Sequence, residues 1–128
     1  MSRIKSLIHS IFVAPSKKYK KEEFNADYFS KLKLSPDVKK ASYYRDFFLP
    51  ENVLDVGCGI GNLVWGLVNL GIVAEGIDIS EDAINRSSVE VRSHLKIGDI
   101  LNLDYPENRF DLVNCSDTLE HIPEEVSC

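Results

Sequence analysis

Three glycines at alternate positions, Gly57, Gly59 and Gly61, lie between a strand-like run and a helix-like run, and this stretch constrains the fold more than any other. Val53 to Val56 reads VLDV, and Leu63, Val64, Leu67 and Val68 follow the glycines at helical spacing. Strand, glycine loop, helix is the predicted order. Glycine lets the backbone turn sharply and approach a ligand, and the first turn of a helix offers unpaired N–H groups to a polar guest. A nucleotide-type cofactor is the default guest. The spacing departs from the dinucleotide fingerprint G-x-G-x-x-G, whose middle glycine lies under a pyrophosphate. Here the pattern is D-x-G-x-G-x-G, with Asp55 two residues before Gly57. A carboxylate at that place disfavours a pyrophosphate and favours an ammonium.

The flanking sequence alternates strand and helix signals. Ser35 followed by Pro36 reads as an N-cap and first-turn proline, predicting a helix over 36–48 that Pro50 stops. Val38, Ala41, either Tyr44 or the stem of Arg45, and Phe48 would form its apolar face. A helix over 62–70 closes at Gly71, and Ile72 to Ile79 reads as a strand buried on both faces. It ends in Asp78, 21 positions beyond Gly57, where a carboxylate is placed to accept from both hydroxyls of a ribose. Glu75, in mid-strand, is expected to face solvent. Ser80 caps the next helix, with Glu81 and Asp82 in its first turn, and this helix frays near Ser87. A short strand over 94–97 leads to Gly98-Asp99-Ile100; a turn, YPEN, precedes the fourth strand, Phe110 to Cys115.

The stretch LDVGCGIGNL resembles the first motif of the class I S-adenosylmethionine-dependent methyltransferases. The resemblance spans about residues 28–123 and rests on four motifs in order. It implies an α/β fold, a Rossmann-like doubly wound parallel sheet, here truncated after the fourth strand and preceded by N-terminal helices. It also implies S-adenosyl-L-methionine as cofactor. The cofactor-binding set implied is Asp55, Gly57, Cys58, Gly59 and Gly61 in the first motif, then Asp78 with Ile79 at the second strand. Asp99 and Ile100 follow, for the adenine, and Cys115 and Ser116 at the end of the fourth strand, for the methionine part. Tyr28 or Phe29, in FNADYFSKL, matches an aromatic lid segment. Asp117 to Pro123 reads DTLEHIP; Leu-Glu-His after the fourth strand recurs in relatives of the ubiquinone-biosynthesis type, which makes His121 the candidate catalytic base. Asp117, Glu120 and His121 also resemble a magnesium-holding set, but two carboxylates and one imidazole are few ligands for Mg²⁺, and no metal is assigned.

Charge is divided unevenly. Residues 1–40 carry a balance of +6 and the remainder −11, for a net charge of −5 over 128 residues. An acidic body repels nucleic acid, and no nucleic-acid partner is expected. Residues 1–23 read as a basic N-terminal segment and linker, and 24–128 as a partial S-adenosylmethionine-binding domain. In the former, Ile4, Leu7, Ile8, Ile11 and Phe12 are at helical spacing, predicting an amphipathic helix over 1–14. Such a helix packs on the domain or makes weak membrane-surface contact through residues 1–21. His9 and Ser10 interrupt the apolar stretch, arguing against a secretory signal. Three scattered cysteines, Cys58, Cys115 and Cys128, without metal spacing, point to a reducing compartment, the cytoplasm.

The expected function is methyl transfer from S-adenosylmethionine to an O or N of a small-molecule or glycan-type substrate. The alternatives are a non-catalytic module that binds the cofactor or a partner chain, and a nicotinamide-dependent oxidoreductase. Later strands of the family's seven-stranded sheet are missing, so the fourth strand is expected to be an unpaired edge.

Overall fold

The computed structural model describes residues 32–102, 105–106 and 108–115, together with the backbone of residues 8–13; Ile100 is likewise described by its backbone. The elements are β1 (Ile8–Val13), α1 (Val38–Phe48), β2 (Asn52–Val56), α2 (Asn62–Asn69), β3 (Val73–Asp78), α3 (Glu81–Arg86), β4 (Leu95–Ile97) and β5 (Phe110–Asn114). Five strands form one sheet in the order β1-β5-β2-β3-β4, and each adjacent pair is parallel. The chain therefore winds outward from β2 to β3 and β4, then crosses back to place β5 on the other side of β2. That reversal puts the topological switch point between β2 and β5, where ligands of open α/β sheets bind.

Strand pleating separates the residues of β2 onto two faces. Val53 and Asp55 share one face with Ala74 and Gly76 of β3 and with Leu112 and Asn114 of β5, their register partners. Helices cover this face. Ala41 and Tyr44 of α1, Leu63, Val64 and Leu67 of α2, and Ile84 of α3 join Val53, Ala74, Leu112 and Leu95 in one buried cluster. Gly66 makes the α1–α2 contact possible, because a Cβ there would stand 2.7 Å from the Asp37 carbonyl oxygen. On the opposite face Leu54, Val56, Ile77 and Val113 are buried as well, as parallel strands require.

Four readings of the sequence are corrected. Where an amphipathic helix was expected over 1–14, the described part, Ile8–Val13, is a strand, paired with β5 through Ile8↔Phe110 and Ile11↔Leu112 to Val13↔Asn114. A short run rich in Ile, Phe and Val fits either period, and the edge of β5 supplies the backbone partners that decide it. For the same reason β5, expected as an unpaired edge, is an interior strand. Helix α1 is capped by Asp37 rather than Ser35. The Asp37 carboxylate accepts from the Lys40 N–H at 3.1 Å, while the Ser35 N–H is used on the Asn62 side-chain oxygen at 3.3 Å. Glu75 is partly buried rather than freely solvated, with 29% of its side chain exposed, and pairs with Arg109 at 2.5 Å.

The remaining elements agree with the expected ones to within one or two residues. Ser80 caps α3 through its hydroxyl, which accepts from the Ala83 N–H at 3.1 Å, and Ser87 ends the helix. Gly71, at φ 83°, follows α2 as its left-handed C-terminal residue.

Candidate functional site

The C-terminal ends of β2, β3, β4 and β5 converge around the glycine loop. Gly57, Gly59 and Gly61 have φ of 76°, 59° and 82°, values that side chains resist. The loop is fastened to β3 at three points. The Gly57 and Cys58 N–H groups both donate to the Ile77 carbonyl, at 2.8 and 3.1 Å, and the Gly61 N–H turns back onto the Cys58 carbonyl at 3.0 Å. The third point is a side chain: Asp78 Oδ2 accepts from the Gly59 N–H at 2.8 Å. Asp78 Oδ1 accepts from the Ser80 N–H, also at 2.8 Å.

Asp78 thus sits where the sequence placed it, with each oxygen held by one backbone donor. A carboxylate oxygen has two lone pairs, so both oxygens retain acceptor capacity for a pair of hydroxyls. Burial pushes its carboxyl above the usual range, against the pull of the Ser80 and Gly59 N–H groups. Next to it, Ile79 is 72% exposed, an apolar surface beside the acceptor. The Gly98 N–H donates to the Asp78 carbonyl at 2.9 Å, which brings the loop after β4 alongside. There Asp99 Oδ1 accepts from the Leu101 N–H at 2.9 Å and shapes the following turn.

Asp55 is buried under the loop at the end of β2, directly beside Asn114 of β5. The Asn114 side-chain amide donates to Asp55 Oδ1 at 2.8 Å, and its carbonyl oxygen accepts from the Tyr44 hydroxyl at 3.2 Å. Asn114 and Tyr44 were missed as site residues; the signal for Asn114 was a polar residue closing the otherwise apolar FDLVNC, whereas Tyr44 reads as an ordinary member of an apolar helix face.

Two glycine-loop residues act differently from their expected part. Gly61 lacks a side chain for packing as well as for its φ, since a Cβ there would stand 2.6 Å from a Leu95 methyl. It is also the N-cap of α2 and contributes no side-chain cap, which leaves the opening N–H groups of the helix to the loop side. Cys58 turns its thiol into the space that Gly76 leaves empty, within 2.8 Å of where a Gly76 Cβ would be. Burial first, then the charges of Asp55 and Asp78, raise this thiol well above its ordinary pKa. It is therefore unsuited to act as a nucleophile. Cys115 is fully buried, so its backbone is the part that can meet a ligand.

Tyr28, Phe29, Ser116, Asp117, Glu120 and His121 lie outside the described residues. Among the described residues no three His, Cys, Asp or Glu side chains are grouped to hold a metal ion, and no helix is long and apolar enough to cross a membrane.

Residues 50–128 match the family model described as "Methyltransferase domain". The chain is 34% identical over 79 residues to the ubiquinone biosynthesis O-methyltransferase of Coxiella burnetii, covering 58% of this chain and 34% of that protein. It is 32% identical over 84 residues to the norajmaline N-methyltransferase of Rauvolfia serpentina, covering 59% and 29% respectively. The chain spans about a third of the length of these curated relatives. Among solved structures it is similar in fold to a protein from Pyrococcus horikoshii OT3, with a TM-score of 0.57 and 24% identity over 75% of this chain and 53% of the other.

Proposed function

The chain belongs to the class I S-adenosylmethionine-dependent methyltransferases, and from that premise we propose that residues 50–115 are their cofactor-binding half, with the cofactor at the β2–β5 switch point. The observation that carries this reading is the buried Asp55 carboxylate under the glycine loop, with Asp78 on the loop's other side. The Asp55 carboxylate under the loop attracts a ligand bearing a sulfonium and an ammonium and disfavours a pyrophosphate, whereas a ribose acceptor such as Asp78 serves dinucleotides as well. A dinucleotide would meet repulsion where it needs a phosphate cradle.

S-adenosylmethionine supplies an electrophilic methyl group. Within the chain, Asp78 accepts hydrogen bonds from the ribose hydroxyls, and Ile79 offers an apolar surface beside it. Asp99, positioned by its own turn, accepts from the adenine amino group. Asp55, directly or through water, complements the ammonium, with Asn114 fixing its orientation. His121 is proposed as the base that takes the proton from the acceptor atom, its ordinary pKa being suited to transfer near neutrality. Both named relatives methylate, one at O and the other at N, which supports a small-molecule acceptor of either kind.

The test is residue-resolved. Backbone amide resonances of the ¹⁵N-labelled chain are followed while S-adenosylhomocysteine is added. Shifts concentrated at Gly57–Gly61, Asp78–Ser80, Gly98–Asp99 and Asn114–Cys115 support the assignment; shifts confined elsewhere would sink it.

A further inference from the structure

Among the described residues three polar or charged side chains are buried: Asp55, Ser87 and Asn114. Ser87 is accounted for locally, since its hydroxyl donates to the Ile84 carbonyl at 2.6 Å where α3 ends. The other two are bonded to each other across the switch point, in register on neighbouring strands. Their row on the helix-covered face runs Asn114, Asp55, Gly76, Leu95. Buried polar groups are costly unless paired, so a polar pair in an otherwise apolar strand layer calls for a reason.

Its hydrogen-bond polarity supplies one. An ionised carboxylate only accepts, so Asn114 must present its NH₂ to Asp55 and its carbonyl the other way. The carbonyl then needs a donor, and the Tyr44 hydroxyl of α1 provides it at 3.2 Å. With the hydroxyl in place, the amide has one satisfied orientation. Without it, a flipped amide would aim its carbonyl at the Asp55 carboxylate, or leave that carbonyl unpaired in the core.

We propose that Tyr44 is a positioning residue for the cofactor's amino-acid part: through Asn114 it holds Asp55 in the orientation that receives an ammonium, so that helix α1 contributes to ligand selection without touching the ligand. This rests on the cofactor reading above. It predicts a selective effect, confined to ligands that carry the amino-acid part.

Tyr44→Phe removes the hydroxyl and keeps the ring in its buried place. Affinities are measured for S-adenosylhomocysteine and for 5′-methylthioadenosine, which has the adenosine and sulfur but no amino-acid part. The variant should bind the first about tenfold more weakly, the size of one hydrogen bond, and the second as the wild type does. Asn114→Leu, close in volume, should show the same selectivity. In the wild-type chain the Asn114 side-chain NH₂ resonance should move with S-adenosylhomocysteine and stay fixed with 5′-methylthioadenosine, a readout that needs no variant. Equal weakening of both ligands would make the relay merely structural and overturn the proposal, as would unchanged affinities with a stationary amide signal. A wild-type chain that binds neither ligand would instead overturn the cofactor reading, and the relay with it.

Discussion

The Asp78 carboxylate holds the glycine loop by its own side chain: Oδ2 accepts from the Gly59 N–H at 2.8 Å. The acidic residue at the end of β3 is thus the post to which the loop is tied, and in the proposed reading it is also the acceptor for a ribose. Ligand contact and loop shape are coupled in one residue.

Replacing Asp78 therefore changes binding and loop shape together, and their opposite pH dependences tell them apart. Its pKa is raised, so the folded state favours the protonated form: its contribution to stability is full below the ordinary carboxylate pKa of 3.8 and is lost as pH rises through the raised value. At pH 7 burial of the charge costs stability, but Asp78→Asn gives up one of the two backbone hydrogen bonds, since its NH₂ cannot accept from the Gly59 or Ser80 N–H, and should melt below the wild type. Binding has the opposite sign, because hydroxyl donors favour the ionised form. S-adenosylhomocysteine affinity should fall as pH drops through the raised pKa, and should fall on the order of 10²-fold in Asp78→Ala, which loses two charge-assisted hydrogen bonds. Calorimetry across pH 4–7 checks both signs.

Gly61→Ala is expected to be among the most damaging single-methyl changes in the loop. It places a side chain at φ 82° and a methyl 2.6 Å from Leu95. Left-handed strain of about 1–2 kcal/mol and overpacking of about 1–3 kcal/mol sum to roughly 2–5 kcal/mol. Urea unfolding of Gly61→Ala, Leu95→Ala and the double variant divides the two contributions: on the Leu95→Ala background the Gly61→Ala change should cost only the backbone part.

Cys58 is expected to resist alkylation. Its thiol is partly buried against the space over Gly76 and held protonated by burial and by the charges of Asp55 and Asp78. Iodoacetamide at pH 8 should label it far more slowly in the folded chain than in urea. Labelling at equal rates in the two states would mean that the thiol does not lie where β3 leaves room for it.

Most of the sheet was legible in the sequence because its signals are local. Asn52–Val56, the glycine turn, and the Ser80 cap each carry their own chemistry within a few residues. Asp78 was legible because its spacing from the loop is set by one βαβ unit. Two kinds of feature were not legible. Ile8–Val13 is apolar at spacings that suit a helix as well as a strand, and its choice is made by β5, about a hundred residues away. Tyr44 and Asn114 meet across 70 positions, and nothing near Tyr44 distinguishes a buried ring from a buried ring with a hydrogen-bonding task. Asp37 rather than Ser35 caps α1 because the helix begins at Val38, two residues later than the Ser-Pro signal suggests, and the Asp37 carboxylate reaches the Lys40 N–H.

Calorimetric titration of the chain with S-adenosylhomocysteine, with NAD as the comparison ligand, tests the central claim most directly. Saturable binding of S-adenosylhomocysteine with no detectable binding of NAD is the predicted result, since the Asp55 carboxylate lies under the loop where a dinucleotide needs its pyrophosphate. Binding of NAD in preference, or binding of neither by a chain whose spectrum shows it folded, would contradict the assignment of the glycine loop.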